Sequence, residues 1–465
     1  MAVPQNDPDL CGLSWATKVI GSSVTYTDRT PEDVFRRSCN WMAAPDDVMA
    51  DALENKNPAA LLALDPQIEF LDKGHLVKVT LNGRTAYARR YGDQGFSVVT
   101  SPDAKPHFTP VPVQRPTISK DWPMGDPEHI EMTATGLDGE KLEEAAQLIF
   151  QNPMEFTNAL VVLHKGQVVL EKYRDPFDRQ TQFESWSMGK SLSATFTGVA
   201  IHNGQLHLDE DHLFDDWTDD RAHIRTRDLL NMASGLQFTG SYGRGEDHSI
   251  KQQEGLFLDH IYVYASGCNS HEFCLDKPLA DPPGTSGRYR NCDPLLAMSL
   301  VRERMCGGDI QAFLTWPYEH LFHKIGATGM ILETDPFGHF LISGHDYGRA
   351  IDWARLGQLH LNKGVWDGQQ LFSEDFAEFV RTPAAKAWAH DPYYGGFFPT
   401  NNTHIIPTLP QDAFWMSGGG LQRVVIIPSL DMVIVRLGHI AGQAFGLGPT
   451  LDKGFGLIAE AVKGR

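Results

Sequence analysis

The stretch Glu184-Ser-Trp-Ser187-Met-Gly-Lys190-Ser-Leu-Ser193 decides how this chain is interpreted. Ser187 and Lys190 are three residues apart, so on a helix they share one face, with about 5–6 Å between their Cβ atoms. Serine is a poor nucleophile at neutral pH and needs a neighbouring base. A lysine can be that base if burial or nearby positive charge lowers its pKa. Residues 192–201 are small or apolar, which predicts that the helix is buried.

A serine in the first turn of this helix would also lie near backbone amides that favour developing negative charge. The motif also occurs by chance, and most copies of it are a helix cap followed by a solvated lysine. It therefore needs support from other parts of the chain.

A second candidate element is Tyr289-Arg-Asn291, which follows Pro282-Pro-Gly284. The phenol of Tyr289 could exchange a proton with a leaving group, and the amide of Asn291 could hold the substrate or Lys190. The alternative is an ordinary loop tyrosine next to the start of the following helix.

A third element is Phe414-Trp-Met-Ser417-Gly-Gly-Gly420. Glycines let a strand edge approach a ligand closely, so Ser417, Gly418 and Gly419 are candidates for substrate binding. The backbone N–H of Gly419 could complete an oxyanion hole with that of Ser187. The alternative is a glycine-rich turn.

Other common sites are absent from the sequence. It has no GxSxG, GxxxxGK, GxGxxG or HExxH motif, so we expect no cofactor and no metal. His320 and His323 are three apart, but their neighbours indicate an ordinary helix and no third ligand is evident.

Composition excludes several classes of protein. The 465 residues carry 40 Lys+Arg against 59 Asp+Glu, and no basic run is present, which argues against a nucleic-acid partner. No apolar stretch approaches the roughly 18–20 residues of a membrane-spanning helix. The start of the sequence lacks a secretory signal pattern, and the six cysteines form no CxxC pair, so we expect a cytoplasmic protein with reduced thiols.

The chain divides into three predicted regions. Residues 1–103 form an N-terminal extension of unknown role that contains one β-hairpin, turning at Asn82-Gly83. Residues 104–127 contain six prolines and are predicted to be an extended connector. Residues 128–465 are predicted to be the catalytic unit, and residues 1–125 to pack against it, bordering the cleft or a subunit contact.

That unit is predicted to be α+β. Hairpins at residues 158–173 and 422–437 place an antiparallel sheet at both ends of the region, with a mostly helical insertion between them. The strands are apolar on both faces, so helices should flank the sheet on each side. Helices are predicted at Gly139–Ile149 and Leu451–Val462, and helical patterns between the hairpins at Arg225–Met232, Pro294–Arg304 and Tyr347–Leu361.

The ordered elements SxxK, YxN and Ser-Gly-Gly resemble the serine hydrolases of the β-lactamase/penicillin-binding superfamily. The best match is the class C-like branch, with its esterases, D-aminopeptidases and 6-aminohexanoate-dimer hydrolases. Residues 224–236 and 347–368 also resemble this family, and the likeness extends from about Glu128 to Lys463.

The resemblance implies a role for each candidate. Ser187 would be the acylated nucleophile, Lys190 its base and Tyr289 an aid to proton transfer, while Asn291 would orient the substrate amide or Lys190. Met416 stands where lactamases carry a cation that meets the substrate carboxylate. Hydrolysis of a small amide or ester is therefore expected rather than lactamase activity. The most specific form of this prediction is an oligoamide hydrolase.

The substrate-binding loop and the alternatives remain open at this point. Residues 235–274, including Tyr242, are expected to overhang the cleft and select the substrate. An acyltransferase of the same fold or a non-catalytic sensor that binds the ligand are the alternative functions. The expected partner is a small molecule, with neither nucleic acid nor membrane involved, and a homo-oligomer is compatible with the sequence.

Overall fold

The structure is a computed structural model that describes residues 2–43, 63–117, 121–152, 155–241, 255–389, 392–439 and 448–462. The described α-helices are α1 (Pro8–Thr27), α2 (Pro31–Val34), α3 (Asn40–Ala43), α4 (Gly139–Gln151), α5 (Met188–His202), α6 (Thr226–Leu230), α7 (Asp259–Ala265), α8 (Ser270–Leu275), α9 (Cys292–Cys306), α10 (Ile310–Phe313), α11 (Ala350–Leu361), α12 (Glu374–Arg381) and α13 (Pro449–Glu460).

The described strands are β1 (Gln67–Leu71), β2 (Leu76–Leu81), β3 (Arg84–Arg90), β4 (Phe96–Val99), β5 (Thr157–His164), β6 (Gln167–Tyr173), β7 (Gln182–Glu184), β8 (Ile331–Leu332), β9 (Asp346–Arg349), β10 (Val365–Trp366), β11 (Gln369–Gln370), β12 (Phe414–Gly418), β13 (Gln422–Ile427) and β14 (Met432–Gly438).

The central sheet joins the two ends of the predicted catalytic region. Its order is β12-β13-β14-β5-β6, and every neighbouring pair is antiparallel. Both predicted hairpins are confirmed, since β5 pairs with β6 and β13 with β14. The mixed α+β architecture with a mostly helical insertion is therefore as the sequence predicts.

Both faces of this sheet are covered by helices, as predicted. Leu160 and Val162 of β5 pack in one apolar cluster with residues of α4 and α13. Ala159 and Val161, which alternate with them along the strand, pack in a second cluster that contains residues of α11. Strand β5 is fully buried as a result.

Two predicted helices need correction. The helix predicted at Tyr347–Leu361 begins only at Ala350, because the backbone of Asp346–Arg349 is used in strand β9, which pairs with both β7 and β8. His320 lies in a π-helix, Tyr318–Phe322, rather than in an ordinary α-helix.

The N-terminal extension contains the predicted hairpin and an element that the sequence did not reveal. Asn82 and Gly83, with φ of 50° and 76°, join β2 to β3 in a four-stranded sheet ordered β1-β2-β3-β4. Helix α1 contacts this sheet and also contacts β7 and α7 of the catalytic region. Because α1 is buried nearly all round, it has no polar stripe from which a helix could be recognised.

The proline-rich segment crosses the surface of the protein without forming a helix or strand among its described residues. It is attached by hydrogen bonds, such as that from the His107 amide to the Pro336 carbonyl at 2.7 Å and from Trp122 Nε1 to the Gly166 carbonyl at 2.6 Å. In the described part of the chain no helix is long and apolar enough to cross a bilayer.

Candidate active site

Ser187 lies at the start of helix α5, immediately before Met188. Its side chain makes no capping hydrogen bond with the helix, so the oxygen is available for reaction. The preceding residue, Trp186, has a left-handed backbone with φ of 47°, which is costly for a bulky side chain. A strained turn therefore leads from strand β7 into the nucleophile.

The turn is held by strand β9. The Ser185 amide donates to the Asp346 carbonyl at 2.8 Å, and Ser185 Oγ donates to Asp346 Oδ2 at 3.0 Å. Gly189 allows this approach, because a Cβ there would lie 2.0 Å from both Asp346 Oδ2 and the Ile342 carbonyl oxygen. The glycine between Ser187 and Lys190 is therefore required by packing.

Lys190 is buried next to the serine. Its Nζ lies 3.0 Å from Ser187 Oγ and 2.8 Å from the carbonyl oxygen of Ser343, and the residue is 1% exposed. Burial lowers the pKa of Lys190 well below its ordinary value. Burial also raises the pKa of nearby Asp346 well above its ordinary value, which weakens its tendency to keep Lys190 charged.

Tyr289 closes the same cluster from the loop before helix α9. Its side chain hydrogen-bonds to Ser187, and Lys190 Nζ lies 4.6 Å from the centre of its ring. Burial raises the pKa of Tyr289, although the hydrogen bond to Ser187 and the charge of Arg423 oppose that shift. The phenol is thus held protonated beside a lysine that burial favours as the free amine.

This arrangement can perform acid–base chemistry on one serine. A neutral Lys190 can accept the proton of Ser187, and a protonated Tyr289 can donate one. Among the described residues no group of three or more His, Cys, Asp or Glu side chains could hold a metal ion.

The remaining predicted residues lie in different surroundings. Gly418 ends strand β12 against the nucleophile turn, since a Cβ there would lie 2.1 Å from the Ser185 carbonyl oxygen. Gly419 follows directly, and a Cβ on this residue would lie 3.6 Å from Trp186 Cγ. Ser417 is partly exposed on the same strand. These positions bring the glycine-rich strand end beside Ser187.

Asn291 lies immediately before helix α9, two residues after Tyr289. Asn291 is 2% exposed and its Nδ2 donates to the carbonyl of His260, while Oδ1 is buried without a donor among the described residues. Tyr242 lies outside the described residues, as do residues 243–254 of the segment 235–274 that is expected to overhang the cleft.

Two further groups at the site escaped the sequence reasoning. Ser343 contacts Lys190 through its main-chain carbonyl, which any residue type could supply. Arg423 is paired in register with Ser417 across β12 and β13 and is 8% exposed. A charged residue at the start of an apolar strand, just after the triple glycine, is the signal that could have identified Arg423.

The chain belongs to the β-lactamase family. The family model described as Beta-lactamase matches residues 147–449, more than half of the chain, and includes Ser187, Lys190 and Tyr289. Members of this family are generally serine hydrolases, and the predicted superfamily is thereby confirmed.

Solved structures with the same fold come from several kinds of protein. One from Bacillus anthracis, provisionally described as a 6-aminohexanoate-dimer hydrolase, is 19% identical with a TM-score of 0.50, covering 66% of this chain and 79% of that chain. A family VIII carboxylesterase is 15% identical with a TM-score of 0.54, covering 72% of this chain and 98% of that chain. A penicillin-binding protein homologue from Caulobacter crescentus is 15% identical with a TM-score of 0.53, covering 70% of this chain and 99% of that chain. At these identities the likeness establishes the fold alone.

Proposed function

We propose that this protein is a serine hydrolase that cleaves an amide or carboxylic-ester bond of a small substrate through an acyl-enzyme on Ser187. The observation that carries the proposal is the buried Lys190 amine, 3.0 Å from Ser187 Oγ. Tyr289, hydrogen-bonded to the same serine, supplies the second proton-transfer group.

Acylation follows from these three residues. Ser187 Oγ attacks the substrate carbonyl carbon while its proton passes to Lys190 Nζ, and the carbonyl oxygen becomes an oxyanion. The N–H groups of Ser187 and Gly419 are the proposed donors to that oxygen. As the carbon–nitrogen or carbon–oxygen bond breaks, the leaving group takes a proton either from Lys190 directly or from Tyr289, which Lys190 then reprotonates, so that Lys190 ends neutral and Tyr289 ends protonated.

Deacylation reverses the roles. Water attacks the acyl carbon, its proton passes to Lys190, and Ser187 leaves as it regains a proton. No cofactor takes part in either step. The buried Oδ1 of Asn291 is the proposed acceptor for a substrate amide N–H.

The proposal is tested by intact mass spectrometry after rapid quench with an activated acyl ester. We expect the wild type to gain the mass of one acyl group and to lose it as product forms, because the ester bond to Ser187 is transient. Ser187→Ala should gain nothing. Ser193→Ala removes another buried hydroxyl on helix α5, bonded to the Pro294 carbonyl, and should keep the adduct. An adduct on Ser187→Ala, or none on the wild type over a broad acyl panel, would refute the proposal.

We further propose that the substrate carries a carboxylate. Arg423 Nη1 donates to the carbonyls of Gln422 and Gly418, while Nε is buried without an acceptor in the part of the chain that the structure describes. No carboxylate among the described residues forms an ion pair with it, and burial lowers the pKa of Arg423 to about 10. Buried cations normally have an anionic partner, which the substrate could supply here. A linear 6-aminohexanoate oligomer has both an amide and such a carboxylate.

Arg423→Gln should therefore change substrate preference. We expect a loss of about 10- to 100-fold in kcat/KM for the mono-p-nitrophenyl ester of glutarate, because a charge-assisted hydrogen bond is removed. The neutral p-nitrophenyl butyrate should lose little. Equal losses on the two esters would mean that Arg423 acts through Tyr289 and not on a substrate carboxylate.

A further inference from the structure

Helix α1 lies outside the residues matched by the family model, yet it reaches the candidate active site through Trp15. This side chain is 4% exposed. Its ring centre lies 5.9 Å from that of Trp186, 6.1 Å from that of Tyr264 and 6.2 Å from that of His345. We call these four residues the aromatic cluster.

The aromatic cluster contains a directional hydrogen bond. Trp15 Nε1 lies 2.9 Å from His345 Nε2. An indole N–H can only donate, so His345 must accept at Nε2 and carry its proton on Nδ1. Burial and the positive charges of Lys18 and Lys190 lower the pKa of His345 well below its ordinary value, which keeps the ring neutral.

The aromatic cluster also contacts Ser343, the residue whose carbonyl accepts a hydrogen bond from Lys190. Tyr264 Oη hydrogen-bonds to Ser343 Oγ, and the Ser343 carbonyl accepts from Lys190 Nζ. His345 follows two residues later in the same loop. A neutral amine has two N–H bonds and one lone pair, so an N–H directed to Ser343 helps leave the lone pair for the Ser187 proton.

We propose that Trp15 is a positioning residue for Lys190, so that a helix outside the family-matched segment completes the active site. Trp15 contacts Trp186, the residue before the nucleophile. It also contacts His345, at one end of the Ser343–His345 segment, and Tyr264, which hydrogen-bonds to Ser343 at the other end. The carbonyl of Ser343 orients the Lys190 amine. The inference rests on the proposed function in one respect, namely that Lys190 is the base for Ser187.

Several titratable groups lie close enough to Lys190 to interact with it electrostatically. They come from different parts of the fold: His260 from α7, Tyr289 from the loop before α9, His345 from the loop before β9, and Asp346 from β9. Burial and the charge of Lys190 lower the pKa of His260 to about 3, so this ring is also neutral. Loss of packing that admits water should therefore raise the pKa of Lys190 toward its ordinary value.

The test is Trp15→Phe with Trp316→Phe as the matched control. Trp316 is also 4% exposed and packs against Phe196 and Phe313, but its Nε1 has no acceptor among the described residues. We expect Trp15→Phe to lower the rate constant of acylation about 10-fold and to leave KM unchanged. The acid limb of its pH profile should move to higher pH, because Lys190 becomes easier to protonate. Tyr264→Phe, which reaches the Ser343 segment from its other end, should shift the limb in the same direction.

A second readout separates this inference from the proposed function. The ¹³Cε resonance of Lys190, assigned by comparison with Lys190→Arg, reports its protonation without any turnover. A titration that moves to higher pH in Trp15→Phe but not in Trp316→Phe supports the positioning role even if the wild type forms no acyl adduct. Unchanged titration and kinetics in Trp15→Phe, or equal changes in both variants, would show that Trp15 only fills the core.

Discussion

Lys190→Ala is expected to lower the rate of Ser187 acylation by about 10³-fold, within the range typical of a lost general base. The physical reason is that Lys190 Nζ lies 3.0 Å from Ser187 Oγ and is the group that can accept its proton. The burst of p-nitrophenolate from an activated ester, followed by stopped flow, measures this step directly. KM should change little, because the amine acts on the serine and not on the substrate.

The proposed role of Lys190 also predicts the direction in which the acylation rate changes with pH. Lys190 works only without its proton, so the acylation rate should rise as pH increases through the pKa of Lys190. Burial lowers that pKa well below its ordinary value, which moves the rise toward lower pH than a solvated lysine would give. At high pH the rate should fall only when Tyr289 ionises. Burial raises the pKa of Tyr289, so this fall is expected at a higher pH than a solvated tyrosine would give.

Lys190→Arg is the matched control for charge. It keeps a long cationic side chain, but a guanidinium does not deprotonate in proteins and offers no lone pair. It should therefore be as slow as Lys190→Ala. If either variant acylated at the wild-type rate, Lys190 could not be the base.

Lys18→Met is expected to lower the free energy of unfolding by about 3–5 kcal/mol. Lys18 on α1 forms an ion pair with Glu333, and both side chains are 0% exposed. Glu333 also accepts hydrogen bonds from Ser22 Oγ at 2.8 Å and from the Phe96 amide at 2.9 Å. Removing the lysine would leave a buried carboxylate without its countercharge, at the contact between α1, β4 and the segment after β8.

Equilibrium urea unfolding measures this loss, with Lys78→Met as the control. Lys78 pairs with Glu69 on the surface, where the side chains are 30% and 47% exposed, and water screens such a pair so that it contributes little to stability. The double variant Lys18→Met/Glu333→Gln should recover much of the lost stability, because the buried charge is removed. Equal small losses in Lys18→Met and Lys78→Met would mean that water reaches the Lys18–Glu333 pair.

The parts of the fold that the sequence predicted depend on local patterns. Asn82-Gly83 satisfies the positive φ of its own turn, and the alternation of Ala159, Leu160, Val161 and Val162 sends residues to opposite faces of the sheet. The spacing of Ser187 and Lys190 places both at one helix start in the same way.

Some boundaries could not be predicted in this manner. Tyr347 suits the helical pattern of the residues after it, but its backbone pairs with Glu184 and Ile331, which are distant in the chain. Helix α1 has a sequence rich in serine, threonine and glycine, with low helix propensity, and tertiary burial stabilises it.

By itself, the sequence determined the two hairpins at the ends of the catalytic region, the helix that carries Ser187 and Lys190, and the order of the three motifs. Each depends on residues close together in the chain or on side-chain identity. Tertiary structure alone decided that Trp15, Ser343 and Arg423 stand around those motifs. Their contacts join segments far apart in sequence, and a main-chain carbonyl or a buried guanidinium acquires its role only when folding removes water and places it beside the serine.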